Sequence, residues 1–158
     1  MRRLWAPWRL KYIKEHKREN CIFCQKPQEK KDEKNYILLR GKTCFVILNT
    51  YPYNNGHVMV APYRHIGSVE KMSYEEGAEM MGFAGKMTRL IRELMQPDGF
   101  NIGMNIGRAA GAGIEDHIHM HIVPRWVGDC NFMPILSDTK VIPEALDESY
   151  RKLRDKLL

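Results

Sequence analysis

A chain of 158 residues, 44% hydrophobic and 28% charged, suits one domain able to bury a sheet and a helix in a single core. Its formal net charge of +6 favours an anionic partner, and a phosphate-bearing small molecule satisfies that as readily as nucleic acid does. Its apolar runs fall well short of the ~20 residues that span a bilayer. The opening MRRLWAPWRL has neither the apolar stretch nor the small-residue cleavage site of a signal peptide, so a soluble cytoplasmic protein without a membrane partner is expected.

In chain order, residues 1–20 come first, where Arg2, Arg3, Arg9, Lys11, Lys14, Lys17 and Arg18 are interleaved with Trp5 and Trp8. Arginine and aromatic rings can grip phosphate and base. No nucleic-acid module accompanies them, so a packed segment with a solvated charged face is the better reading and nucleic acid is not the expected partner. The four cysteines could form two disulfides. With no secretory signal and with Cys21 and Cys24 in a CIFC pair, metal binding is preferred over a reduced thiol pair, and Cys44 and Cys130 read as ordinary buried or partly buried thiols.

CQKPQEKKDEKN reads as a charged, turn-rich loop. YILLR and TCFVIL flank Gly41-Lys42 as a β-hairpin, and GHVMVAP reads as the next strand. SYEEGAEMMGFAGKMTRLIRELM opens with Ser73 and Glu76 in capping-box spacing and carries Ala84, Met87, Ile91 and Leu94 on one stripe before Pro97-Asp98-Gly99 stops it. This predicts one long helix, its methionines filling core gaps. GFNIGMNIG and HIHMHIVPR should be strands joined by the loop RAAGAG. PEALDESYRKLRDKLL places Leu146, Tyr150, Leu153 and Leu157 at helical spacing behind Pro143, predicting a C-terminal helix over residues 143–158. With no internal repeat or low-complexity linker, the expected architecture is a single α+β domain over 1–158. It would hold a mostly antiparallel sheet of about five strands, one long packed helix and the C-terminal helix, with the motif-bearing core at 21–126.

EDHIHMHIVPRW places three of the six histidines at alternate positions. On a strand, His117, His119 and His121 share one face, with neighbours ~7 Å apart, and Ile118, Met120 and Ile122 share the other. The apolar face is expected to pack and the histidine face to stay open. Adjacent imidazoles there can touch one bound group or divide their labour between a metal and a substrate.

HIHMHIV resembles the signature of the histidine triad superfamily of nucleotide hydrolases and transferases. NNGHVMVAPYRH, FVILN and NIGRAAGAG resemble, in turn, its Gly-His strand, its nucleotide-binding strand and its phosphate loop. The resemblance implies that His119 is a nucleophile attacking an α-phosphorus, with a nucleotidyl-histidine intermediate. It assigns His121 and His57 to the phosphate oxygens, Asn49 to the ribose, and Asn105 with the amides near Gly111 and Gly113 to phosphate contacts. Cys21, Cys24, His65 and His117 resemble a structural zinc site found in some bacterial triad proteins and in the related galactose-1-phosphate uridylyltransferases. Two thiolates and two imidazoles make a closed tetrahedral set, so a structural Zn²⁺ and no organic cofactor are expected.

GAGIED lacks the Gln-Ser or Gln-Thr pair that many members carry, which weakens the resemblance to the phosphoramidate-cleaving branch and leaves a nucleoside phosphoramidate hydrolase as the alternative reading. HIVPRWVGDCNF resembles bacterial relatives of diadenosine tetraphosphate phosphorylases. The resemblance therefore implies a nucleotidyltransferase or hydrolase that binds an adenine nucleotide or dinucleoside polyphosphate, with water or phosphate as acceptor, working as a homodimer. A module that senses a nucleotide without turnover is the alternative of another class.

Overall fold

A computed structural model describes residues 21–129 and 144–157; the basic segment 1–20, Cys130 and Pro143 lie outside the described residues. The period-2 segments form the strands β1 (Ile37–Arg40), β2 (Cys44–Leu48), β3 (Val58–Pro62), β4 (Gly99–Met104) and β5 (Met120–Arg125). They pair antiparallel throughout in the order β1-β2-β3-β5-β4. Strands β2 and β3 are buried along their whole length, whereas β4 lies at an edge and is largely exposed.

Two short helices, α1 (Ile22–Gln28) and α2 (Asp32–Asn35), stand where a charged loop was expected. Pro27 inside α1 and the run of charges hide them from a periodicity argument. The long helix α3 (Tyr74–Met95) opens on the full capping box: the Ser73 hydroxyl accepts from the Glu76 amide and the Glu76 carboxylate accepts from the Ser73 amide. It closes at Gln96, which takes the left-handed conformation just before Pro97. The last helix, α4 (Leu146–Asp155), begins at Leu146, after Glu144 and Ala145, and so starts later than its sequence pattern suggests.

Alternation along the strands gives the sheet two covered faces. On one, Val46, Leu48, Val58, Val60, Met120 and Ile122 pack against Met80, Ala84, Met87 and Ile91 of α3 and Tyr150 and Leu153 of α4. Met80 and Met87 are core filler as expected, and Cys44 is a buried thiol, while Met81 faces outward. On the other face, Phe23 of α1 covers Ile37, Phe45, Ile47, Met59 and Ala61. No helix among the described residues is long and apolar enough to cross a membrane.

One carboxylate ties the hairpin to α3. Glu79 accepts hydrogen bonds from the amides of Lys42, Thr43 and Cys44 and from the Thr43 hydroxyl at 2.6–2.8 Å. Burial acts to raise its pKa, but these donors outweigh that and hold it at about 2.

Candidate active site and metal centre

The register sets out the site. Met59 pairs with His121 and His121 with Gly103, while the Asn49 amide donates to the His57 carbonyl at 2.9 Å. Asn49, His57 and His121 therefore meet on the α1 side of the sheet, near its centre. The ladder of β5 starts only at Met120, so His117 and His119 precede it on a segment fixed by the Ile118 amide bonding the Ile66 carbonyl at 2.6 Å. The histidine face is not open, as alternation alone suggested. His117 and His119 are buried, because the Phe23 ring lies 5.3 Å from the His117 ring and 4.7 Å from that of His119.

Backbone carbonyls set both tautomers there. His119 Nδ1 lies 2.8 Å from the His117 carbonyl, so Nδ1 carries the proton and Nε2 keeps the lone pair. Burial lowers the His119 pKa, against the opposing effect of that hydrogen bond, which keeps the ring neutral. His117 Nε2 lies 2.8 Å from the Pro62 carbonyl, so its lone pair is on Nδ1. Burial pushes the His117 pKa down to about 4, and that ring too is neutral.

A second chain of hydrogen bonds orients His121. The Tyr53 amide donates to His57 Nδ1 at 3.0 Å. Asn49 supports this arrangement, with its Oδ1 accepting from the Tyr51 amide and its Nδ2 lying 3.3 Å from the same nitrogen. His57 Nε2 therefore holds the proton and donates to His121 Nδ1 at 3.0 Å, which leaves the His121 proton on Nε2. The His119 and His121 rings thus stand side by side, their centroids 4.8 Å apart. His57 is fully buried, and its Nε2 lies 3.0 Å from His121 Nδ1.

Cys21, Cys24, His65 and His117 converge, their ligand atoms all lying within 4.8 Å of one another. Metal–ligand bonds of about 2.0–2.3 Å in a tetrahedron place the ligand atoms roughly 3.3–3.8 Å apart. Cys21 Sγ and His65 Nδ1 each lie 3.3 Å from His117 Nδ1, Cys24 Sγ lies 3.3 Å from His65 Nδ1, and Cys24 Sγ lies 3.5 Å from His117 Nδ1. The His117 lone pair points into this group because its other nitrogen is engaged by Pro62. Burial, followed by the nearby Cys21, pushes the Cys24 thiol up to about 11; a bound cation would reverse that by pairing with both thiolates. Donor set, spacing and tautomer fit a closed structural ion.

The remaining residues divide. Asn105 lies beside His121 along a cleft of about 390 Å³ on the β4–β5 side, with Tyr53, Asn101 and Arg125 also on its walls. Gly111, at φ +85°, sits in the loop before β5, and its amide closes a turn onto the Arg108 carbonyl at 2.9 Å. Gly113 follows in the same loop, whose Ile114 packs against the Phe23 cluster. Phe23 and Tyr53 were not singled out by sequence. The first was legible only as one of the two residues enclosed between Cys21 and Cys24. The second rests on a ring contact of 4.9 Å with His57 that no local pattern encodes.

Residues 30–127 match the HIT domain family. The chain is 41% identical over 162 residues to a protein from Mycobacterium tuberculosis named AP-4-A phosphorylase, covering 97% of this chain and 83% of that one. Its fold resembles a crystal structure of a Zn-bound histidine triad family protein from Mycobacterium smegmatis, with TM-score 0.70, 29% identity and coverage of 87% and 93% of the two chains. A histidine triad nucleotide-binding protein from Sulfolobus tokodaii gives TM-score 0.67 at 28% identity over 87% and 89%. The α+β fold agrees with these likenesses, and the chain belongs to the HIT domain family.

Proposed function

We propose that this chain acts at the α-phosphorus of a dinucleoside polyphosphate such as diadenosine tetraphosphate, through a nucleotidyl intermediate on His119. It is an enzyme of the nucleotide hydrolase or phosphorylase kind. The observation that carries this reading is the pair of fixed tautomers, a lone pair on His119 Nε2 beside a proton on His121 Nε2.

In the first step the Nε2 lone pair forms a bond to phosphorus while the bridging P–O bond breaks, and the nucleoside triphosphate departs with the electron pair. The His119 Nδ1–H bond to the His117 carbonyl spreads the positive charge that develops on the ring. His121 Nε2–H donates to a phosphate oxygen as negative charge builds there. His57 acts as a positioning residue, fixing the His121 tautomer, and Asn49 beside it takes the ribose. In the second step an oxygen of inorganic phosphate attacks the same phosphorus, the N–P bond breaks and His119 is restored. The relative named AP-4-A phosphorylase favours phosphate over water as acceptor.

Cys21, Cys24, His65 and His117 would hold a structural Zn²⁺, which when bound supplies rigidity at the base of the triad and no reacting group. Two thiols kept as ligands suit the reducing cytoplasm. The exposed edge of β4, with Ile102 46% exposed and Ile106 just beyond the strand 44% exposed, suits pairing with a second copy.

Incubation with diadenosine tetraphosphate tests the function. ADP plus ATP formed only in the presence of phosphate is the expected outcome, AMP plus ATP formed in water makes the chain a hydrolase, and the absence of product in both removes this substrate class.

A further inference from the structure

The α1 side of the sheet is unequal on its two flanks. Toward β1 and β2 it is an apolar floor of Phe23, Ile37, Phe45, Ile47 and Met59. Toward β4 it becomes the cleft beside His121. Alternation along β4 places Asn101, Gly103 and Asn105 on the face that His121, Val123 and Arg125 share on β5. The row is amide-rich, and at Gly103, opposite His121, an added Cβ would meet nothing within 4 Å, so the space above it is open.

Order along the chain supplies the direction. His119, His121, Val123 and Arg125 follow one another at alternate positions. An in-line displacement places the leaving group on the side of the phosphorus away from the nucleophile. With His119 at one end and His121 on the phosphoryl oxygens, that side runs toward Val123 and Arg125, about 13 Å beyond His121 along the strand. Asn49 lies on the other flank of the His57–His121 pair, next to β2, so the two halves of the substrate have separate places.

The far end of the cleft is held in place. The Arg125 guanidinium bonds Asp129 through Nε at 2.6 Å and through Nη2 at 2.8 Å, and its Nη1 bonds Asn101 Oδ1 at 2.7 Å. Asn54 secures the same carboxylate at 2.8 Å. Asp129 offsets much of the guanidinium's charge, so this planar group, fixed before substrate arrives, recognises phosphate oxygens chiefly by the geometry of its N–H groups.

We infer that the cleft between β4 and β5 is the subsite for the leaving half of the substrate, where Arg125, held by Asn101, contacts the phosphates distal to the one attacked. This rests on the nucleotidyl-transfer reading above and adds to it a basis for selecting long polyphosphate bridges.

The test compares diadenosine tetraphosphate with the p-nitrophenyl ester of AMP, whose leaving group carries no phosphate. In Arg125→Met, kcat/KM for the tetraphosphate should fall about tenfold or more relative to the ester, the loss of a charge-assisted hydrogen bond. Asn101→Ala, an exposed edge position, should shift the same ratio in the same direction by a smaller factor, and it guards against a misfolded Arg125 variant. Equal losses on both substrates, or none, overturn the subsite. If the wild type turns over neither substrate, the functional reading fails, and calorimetry with inorganic tripolyphosphate judges the cleft independently. Binding that weakens in both variants supports it, and no binding to the wild type overturns it.

Discussion

Phe23 offers the sharpest perturbation of the packing that holds His119. The ring is 1% exposed, lies against His117, His119 and Phe45, and is carried on α1 between two candidate metal ligands. Phe→Ala substitutions in cores cost about 3–5 kcal/mol. The lower end applies here, because the ring belongs to the smaller of the two clusters and α1 is a seven-residue helix able to settle inward. Phe23→Ala should therefore lower the unfolding free energy by about 3 kcal/mol, and Phe23→Leu, which refills most of the volume, by about 1 kcal/mol. Urea denaturation with zinc in the buffer reads this. The histidines supply a second readout: with one side of the His119 ring uncovered, the imidazole is no longer confined, and turnover should fall about tenfold in the alanine variant while the leucine variant keeps most of it. A stability loss under about 0.5 kcal/mol, the size of an ordinary surface substitution, refutes the packing argument. A full stability loss with unchanged turnover refutes the link to His119.

Glu79→Gln replaces an acceptor of four hydrogen bonds with a side chain that is half donor, and should cost about 2–3 kcal/mol in thermal or chemical unfolding. Because the folded pKa of Glu79, about 2, lies below its ordinary value of 4.5, its contribution is complete above pH 4.5 and fades as pH falls from there toward 2. After allowance for solvent screening that contribution is about 1–2 kcal/mol, so stability of the wild type should drop more steeply between pH 5 and 3 than that of the variant; parallel curves contradict it. Ser73→Ala should cost about 1 kcal/mol by removing one half of the capping box, with kcat unchanged. Cys24→Ser should lower bound zinc, measured by elemental analysis, from about one ion per chain to near zero and reduce the melting temperature; a variant that keeps its zinc removes Cys24 from the ligand set.

Much of this arrangement can be read from local sequence, and the remainder is missing for a physical reason. The strands, the capping box and the stop at Pro97 are local signals, and all three match the structure. The Cys21, Cys24, His65 and His117 grouping came by resemblance, and the structure brings the four together. Helix α1 was not legible, because what stabilises it is the burial of Phe23 against distant strands and not a helical period. The place of His57 depends on the Tyr53 amide fixing a tautomer, and that of Arg125 on Asn101 and Asp129 from a neighbouring strand and a following turn. Contacts of this kind exist only once register is set.

The proposed chemistry turns on a covalent bond to one nitrogen, His119 Nε2. Wild type and His119→Ala would be mixed with diadenosine tetraphosphate labelled in its adenosine, quenched within the first turnover and digested, with the label traced to a peptide by mass spectrometry. Acid-labile label is expected on the peptide containing His119 in the wild type and none in the variant. Equal labelling of both proteins, or a His119→Ala variant that turns over substrate at the wild-type rate, would contradict it.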